Sequence, residues 1–144
     1  MTIWFDMDGT IADLYGVENW LPMLRACDPA PYMLAKPLLR LSTLAYMLNR
    51  LQAKGYRIGV ISWLAKNSNP NYDADVTATK TAWLAKHLPS VKWDEIIITP
   101  YGVPKQNFCG SPHDILFDDE KPNRENWTGN AYDVDNIIEI LKAL

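Results

Sequence analysis

The residues best suited to chemistry are carboxylates at the ends of apolar runs. Ile3-Trp4-Phe5 delivers Asp6 and Asp8, two residues apart, into a turn at Gly9. Asp114-Ile115-Leu116-Phe117 delivers Asp118 and Asp119. A hydroxyl, Ser62, follows the apolar run Tyr56–Ile61, and a lysine, Lys105, follows Ile96-Ile97-Ile98. Carboxylates can act as nucleophiles or exchange protons, while a hydroxyl and an ammonium can hold an anion. β-Branched and aromatic runs read as buried strands, and Gly9 permits the sharp exit a sheet edge needs. Each polar group is then placed at a strand's carboxyl edge, where open α/β sheets bind ligands.

The elements between these ends set the architecture. Leu38, Leu41, Ala45, Leu48 and Leu51 recur at helical spacing between Pro37 and Gly55, which predicts a helix of four or five turns starting near Pro37. Ala65–Asp73 is polar and reads as a loop. Asp73 or Asp75 is expected to cap the next helix, which turns Val76, Trp83, Leu84, His87 and Leu88 inward and stops at Pro89. A short strand near Ala131-Tyr132 and a helix over Val134–Leu144 close the chain. Strands alternating with helices imply an α/β fold, a three-layer Rossmann-like parallel sheet. Residues 15–37, broken by Pro22, Pro29, Pro31 and Pro37, read as one or two short helices inserted after the first strand. That insert is too small to be a separate domain, so residues 1–144 are expected to be one domain.

Composition excludes several classes. At 48% hydrophobic and 22% charged residues the chain is an ordinary globular one, long enough for a core without disulfides or structural metal. A net charge of -3 gives no field to collect nucleic acid or an anionic membrane. Two cysteines, Cys27 and Cys109, are assigned to packing in a reduced compartment, and with two histidines they offer no zinc set. No basic leader with a long apolar run and no membrane-length window is present, so a soluble cytoplasmic protein is the expectation.

Asp6-Met7-Asp8-Gly9-Thr10 resembles the first motif of the haloacid dehalogenase superfamily, most of whose members are magnesium-dependent phosphatases. With Ser62, Lys105 and Asp118-Asp119 in this order, the chain is similar to all four motifs of that superfamily. The resemblance implies a haloacid-dehalogenase-like core with a small helical cap at about residues 15–37. It implies a phosphomonoesterase in which Asp6 is the nucleophile that becomes an aspartyl-phosphate. Asp8 would protonate the leaving alkoxide and then deprotonate the hydrolytic water. Ser62, with backbone amides near Trp63 and Met7, would hold phosphate oxygens, and Lys105 would set a positive charge beside them. Mg2+ would be bound by the Asp6 side chain, the Asp8 backbone carbonyl and Asp118. Asp119, with Thr10, would stand behind these ligands, Asp119 orienting Lys105 or a metal-bound water.

Three segments, Lys80-Thr81-Ala82-Trp83-Leu84, Thr99–Lys105 and Ile115–Asp119, resemble the 5′(3′)-deoxyribonucleotidase family. That resemblance implies a nucleoside monophosphate as substrate, with Lys80 as a possible substrate contact. Lys80 and Lys121 compete with Lys105 for the same edge, and Lys80 reads equally as a solvent-facing helix lysine. Trp20 and Tyr32 in the insert are candidates to stack on a base or sugar. The rival readings are a phosphatase for polynucleotide ends, which an open site would admit, and a non-enzymatic phosphoacceptor domain. The latter places its phosphorylated Asp after the third strand, where this chain has Thr99-Pro100.

Overall fold

The computed structural model describes residues Met1–Leu144. Its first strand, β1 (Thr2–Phe5), lies at the centre of a five-stranded parallel sheet. A two-residue strand β2 (Ala12–Asp13), helices α1 (Trp20–Arg25) and α2 (Ala30–Leu34) and a second two-residue strand β3 (Lys36–Pro37) make up the insert. Next come α3 (Leu41–Ala53), β4 (Arg57–Trp63), α4 (Pro70–His87), β5 (Glu95–Thr99) and β6 (Ile115–Phe117). The chain ends with α5 (Lys121–Asn126), β7 (Asn130–Tyr132) and α6 (Ile137–Ala143).

The strand order is β5-β4-β1-β6-β7. The chain winds outward from β1 through β4 to β5, then crosses back to β6 and β7. The winding therefore reverses beside β1, and a crevice opens there at the carboxyl ends of β1 and β6. Register fixes the alignment, with Phe5 beside Val60 on one side and beside Phe117 on the other. Asp6 and Asp118 consequently leave the sheet at the same level.

The side-chain period of two splits β1 between the layers. Ile3 and Phe5 join Leu44, Leu48 and Leu51 of α3, Leu84 of α4 and Leu141 of α6 in the larger core. Trp4 points to the other face, with Ile61, Leu116 and Trp127. The Trp4 ring lies where any Cβ at position 59 would be, which accounts for Gly59 opposite it in the pairing of β1 with β4. The fold is thus the expected α/β, three-layer arrangement around a parallel sheet, with the second face covered more thinly.

Several boundaries differ from the sequence expectation. Pro37 is not in the first turn of α3. It pairs with Ala12 in the β2–β3 ladder that closes the base of the insert, and α3 begins at Leu41. Helix α4 is capped by Asn69, whose side chain accepts from the Tyr72 amide at 2.9 Å, with Pro70 in the first turn. Asp73 and Asp75 lie inside that helix because the proline's fixed φ and the Asn cap start it earlier. Helix α5 was not expected, although Pro122 in its first turn is a start signal. Cys27 is exposed, with a positive φ of 55°, so it is not a packing residue. His87 is half-buried against Trp83, with ring centroids 4.4 Å apart.

The insert is fastened to α4. The Tyr72 hydroxyl donates to the Asp28 carbonyl at 3.1 Å, and the Trp83 indole donates to the Ala35 carbonyl at 2.8 Å. A satellite core of Leu14, Tyr32, Leu64, Tyr72 and Val76 joins the two. No helix is long and apolar enough to cross a membrane.

Candidate active site

The polar groups that the sequence places at four strand ends meet in the crevice. Lys105 is 2% exposed and donates to Asp6 Oδ1 at 2.8 Å and to Asp118 Oδ2 at 2.7 Å, tying the ends of β1 and β6 together. Burial opposes its charge, yet the two carboxylates hold its pKa above the ordinary lysine value. A short 3₁₀ turn, Lys105–Phe108, starting after Pro104 places it there.

Lys80 resolves into one of its two readings. It is 1% exposed, and its ammonium donates at 2.7 Å each to Asp8 Oδ2, Ser62 Oγ and the Trp63 carbonyl. Three donors meet three acceptors, so the ammonium is saturated. Ser62 is fully buried and accepts from Lys80, which leaves its own O–H free to donate. Sequence alone left Lys80 ambiguous because α4 has polar residues on several faces. Only its docking against β4 selects the inward one.

Gly9 carries Asp8 out of the strand at φ 82°, and any Cβ there would strike the Asp119 carboxylate and the Tyr15 ring. The turn can therefore close down on Asp119 only as glycine. Thr10 links the two motifs. Its hydroxyl lies 3.1 Å from Asp6 Oδ2 and 3.3 Å from Asp119 Oδ1, and it accepts from the Asp119 amide at 3.2 Å. Asp119 does not contact Lys105, contrary to one of the two roles the resemblance implied; Lys105 is committed to Asp6 and Asp118.

The charges are out of balance. Asp6, Asp118 and Asp119 present oxygens within 4.8 Å of one another. Counting Asp8, four carboxylates face two ammoniums. Burial, then repulsion from Asp6, pushes Asp118 up to about 6 against the pull of Lys105. Asp119 is pushed up to about 7 by burial, then by Asp6 and Asp118. Asp8 is raised as well, chiefly by burial and opposed by Lys80. An all-oxygen set with surplus negative charge suits a hard divalent cation such as Mg2+, so these residues fit the ion that the sequence implied. Asp118 and Asp119 would both be in reach of such an ion.

Sequence reasoning missed the residues that hold Asp118 from behind. Asn123 donates to its Oδ2 at 3.2 Å, the Glu120 amide to its Oδ1 at 2.9 Å, and Arg124 to the carbonyls of Asp118 and Asp119 at 3.0 and 2.8 Å. All come from α5 or the residue that caps it, so the start signal at Pro122 could have found them.

A cleft of about 550 Å³ opens above this floor, with Asp6, Asp8, Lys105 and Asp118 in its lining. The insert supplies one wall, including Trp20, which packs edge-on against Tyr15 at 5.0 Å. Tyr32 lines the same cleft but is buried, its ring centroid 4.9 Å from the Lys80 ammonium, so it supports Lys80 more than it offers an open platform. Trp63 ends β4 and lines the opposite wall. Lys121, the other rival lysine, is on the surface and pairs with Glu125.

The class that fold and site define is a Rossmann-like α/β protein with an acidic, lysine-bridged site at the switch point of its sheet. No family model matches the sequence, and no curated protein matches it either. Among solved structures, the chain superposes on a chain in a structure of the Pnkp1/Rnl/Hen1 complex with a TM-score of 0.58 at 17% identity. The match covers 92% of this chain and 44% of that one, so this chain spans less than half the length of its structural neighbour. The likeness is one of fold.

Proposed function

We propose that the chain is a magnesium-dependent phosphomonoesterase of the haloacid dehalogenase superfamily, acting on a nucleoside monophosphate through an aspartyl-phosphate on Asp6. The observation that carries this reading is the convergence of Asp6, Lys105 and Asp118 on one side of the crevice with Asp8, Lys80 and Ser62 on the other. An anion-binding pocket alone would not need two carboxylates of different environment two residues apart.

Asp6 is oriented by Lys105 on one oxygen and Thr10 near the other, which suits in-line attack on phosphorus. Asp8 is raised by burial, so it is disposed to carry the proton that the leaving alkoxide takes up, and it then accepts a proton from the water that attacks the phosphoenzyme. The Ser62 hydroxyl and the Lys105 ammonium donate to the phosphoryl oxygens. A divalent cation held by Asp6 and Asp118, with Asp119 beside them, would neutralise the charge of those oxygens. The carboxylates would otherwise repel the substrate.

The test is a screen of phosphomonoesters with magnesium, run beside Asp6→Asn and excess chelator. Release of phosphate by the wild type and none by either control is the expected result. An acid-quenched, hydroxylamine-sensitive phosphoprotein should form with the wild type and not with Asp6→Asn. Near-wild-type turnover by Asp6→Asn, or in chelator, would refute the mechanism. Phosphorylation without turnover would favour the phosphoacceptor reading.

A further inference from the structure

The floor of the cleft accounts for one phosphoryl group, yet its mouth carries features that the proposed chemistry does not use. On the sheet side, Trp63 and Tyr101 pack with ring centroids 5.1 Å apart. The Trp63 indole donates to the Val103 carbonyl at 2.8 Å, which pins the loop carrying Tyr101 to the end of β4. On the insert side stand Tyr15 and Trp20. Tyr15 is 47% and Tyr101 52% exposed, a costly placement for rings that have cores within reach. Two aromatic pairs thus border one cleft whose floor is charged.

The mouth also carries cations. Lys66 and Arg25 both line the cleft, both are exposed, and neither forms an ion pair. The Lys66 ammonium lies over the Tyr101 ring, 5.9 Å from its centroid. A flat ring packed into the angle between Trp63 and Tyr101 would lie beside a positive charge. The two lysines on the floor are buried, Lys80 bonded to Asp8 and Lys105 serving the first phosphoryl group, whereas these two are free to take a second anion.

Building on the phosphomonoesterase reading, we infer that the leaving group is a nucleoside that carries a second phosphate. The base packs into the angle between Trp63 and Tyr101, whose planes are inclined at 57°, and the second phosphate meets Lys66 and Arg25. A nucleoside bisphosphate and the phosphorylated end of a short oligonucleotide share this chemistry. The cleft volume accommodates a ligand of the smaller kind, and its open mouth lets the longer one run on. Stacking is tolerant of base identity, so the wall selects for a ring and the cations for a charge.

The experiment measures kcat/KM with magnesium for glycerol phosphate, a nucleoside 5′-monophosphate, the corresponding 3′,5′-bisphosphate and a 5′-phosphorylated dinucleotide. The expected result is a gain of about tenfold from glycerol phosphate to the monophosphate, and of about tenfold again on adding the second phosphate at low salt. The second gain should shrink as salt rises. In the double variant Lys66→Ala/Arg25→Ala the ratio of bisphosphate to monophosphate should fall towards unity, and in Tyr101→Ala the advantage over glycerol phosphate should shrink. The bisphosphate and dinucleotide arms tell the two sources apart. A ratio near unity in the wild type, or one that survives the double variant, overturns the inference while leaving the phosphatase reading intact. Hydrolysis of none of the four esters by the wild type overturns both.

Discussion

Replacing Lys80 by Met isolates the energetics of the Asp8 side of the site. Lys80 is 1% exposed and Asp8 has a side-chain exposure of 16%, with 2.7 Å between them. Removing one partner of a buried pair costs about 3–5 kcal/mol, and the partial hydration of Asp8 places this case near the lower end, about 3 kcal/mol. That figure holds only while Asp8 is ionised. Without Lys80, burial and the charge of Asp6 act on Asp8 unopposed, so its folded pKa rises further above the unfolded one. A raised folded pKa contributes stability that is complete below the unfolded value and lost as pH climbs through the folded value. The deficit of the variant must therefore grow with pH. Once the solution is acid enough to protonate Asp8 in both proteins, only the lost bonds to Ser62 and the Trp63 carbonyl should count, about 1 kcal/mol. For a chain of this size the melting temperature should fall by roughly 6–12 °C where Asp8 is ionised in the wild type and by roughly 2–4 °C at the acid end. Thermal melts in chelator, wild type against variant at each pH, make the measurement, and the other titrating groups cancel in the difference. Adding Asp8→Asn should remove the pH dependence. An equal deficit at both pH values, or a loss below about 1 kcal/mol at the higher one, would show that Lys80 does not hold Asp8 in its ionised form.

Asp8→Asn should leave the fold intact and slow turnover by about 10²–10⁴, the usual worth of general acid–base catalysis; steady-state kinetics check it, and a loss under threefold would assign the proton to another group. In chelator the wild type should melt cooperatively and at a higher temperature near pH 5 than near pH 8. The raised values of Asp118 and Asp119, about 6 and about 7, mean that stability is lost as pH rises through them. Magnesium should reduce that dependence, whereas His87, lowered by burial and Lys86, acts in the opposite sense at acid pH. A melting temperature that climbs with pH in chelator would count against the charge imbalance. Gly59→Ala should destabilise by about 1–3 kcal/mol in urea titrations, because its methyl would enter the buried Trp4 ring and the core would have to shift.

The sequence by itself determined the sheet and most of what stands at its edge. Period-two and continuous apolar runs marked β1, β4, β5 and β6, and turn residues after them marked where polar groups emerge, because strand and turn chemistry are local. Asp6, Asp8, Ser62, Lys105 and Asp118 followed from that alignment. What only the tertiary structure decided was direction and partnership. Lys80 lies on a helix with apolar and polar residues mixed, so no periodicity told which way it faced until α4 docked on β4. Pro37 carried a helix-start signal but was claimed by pairing with Ala12, a contact across the insert. Tyr32, a candidate to stack on a base or sugar, became a buried support for Lys80, while Tyr101, in a loop without a pattern, reached the cleft because Trp63 bonds the Val103 carbonyl. The charge imbalance among the carboxylates likewise arose only when two distant strand ends met. Local preference specifies elements; the pairing of residues far apart in the chain depends on how the elements pack, and that information is spread over the whole core.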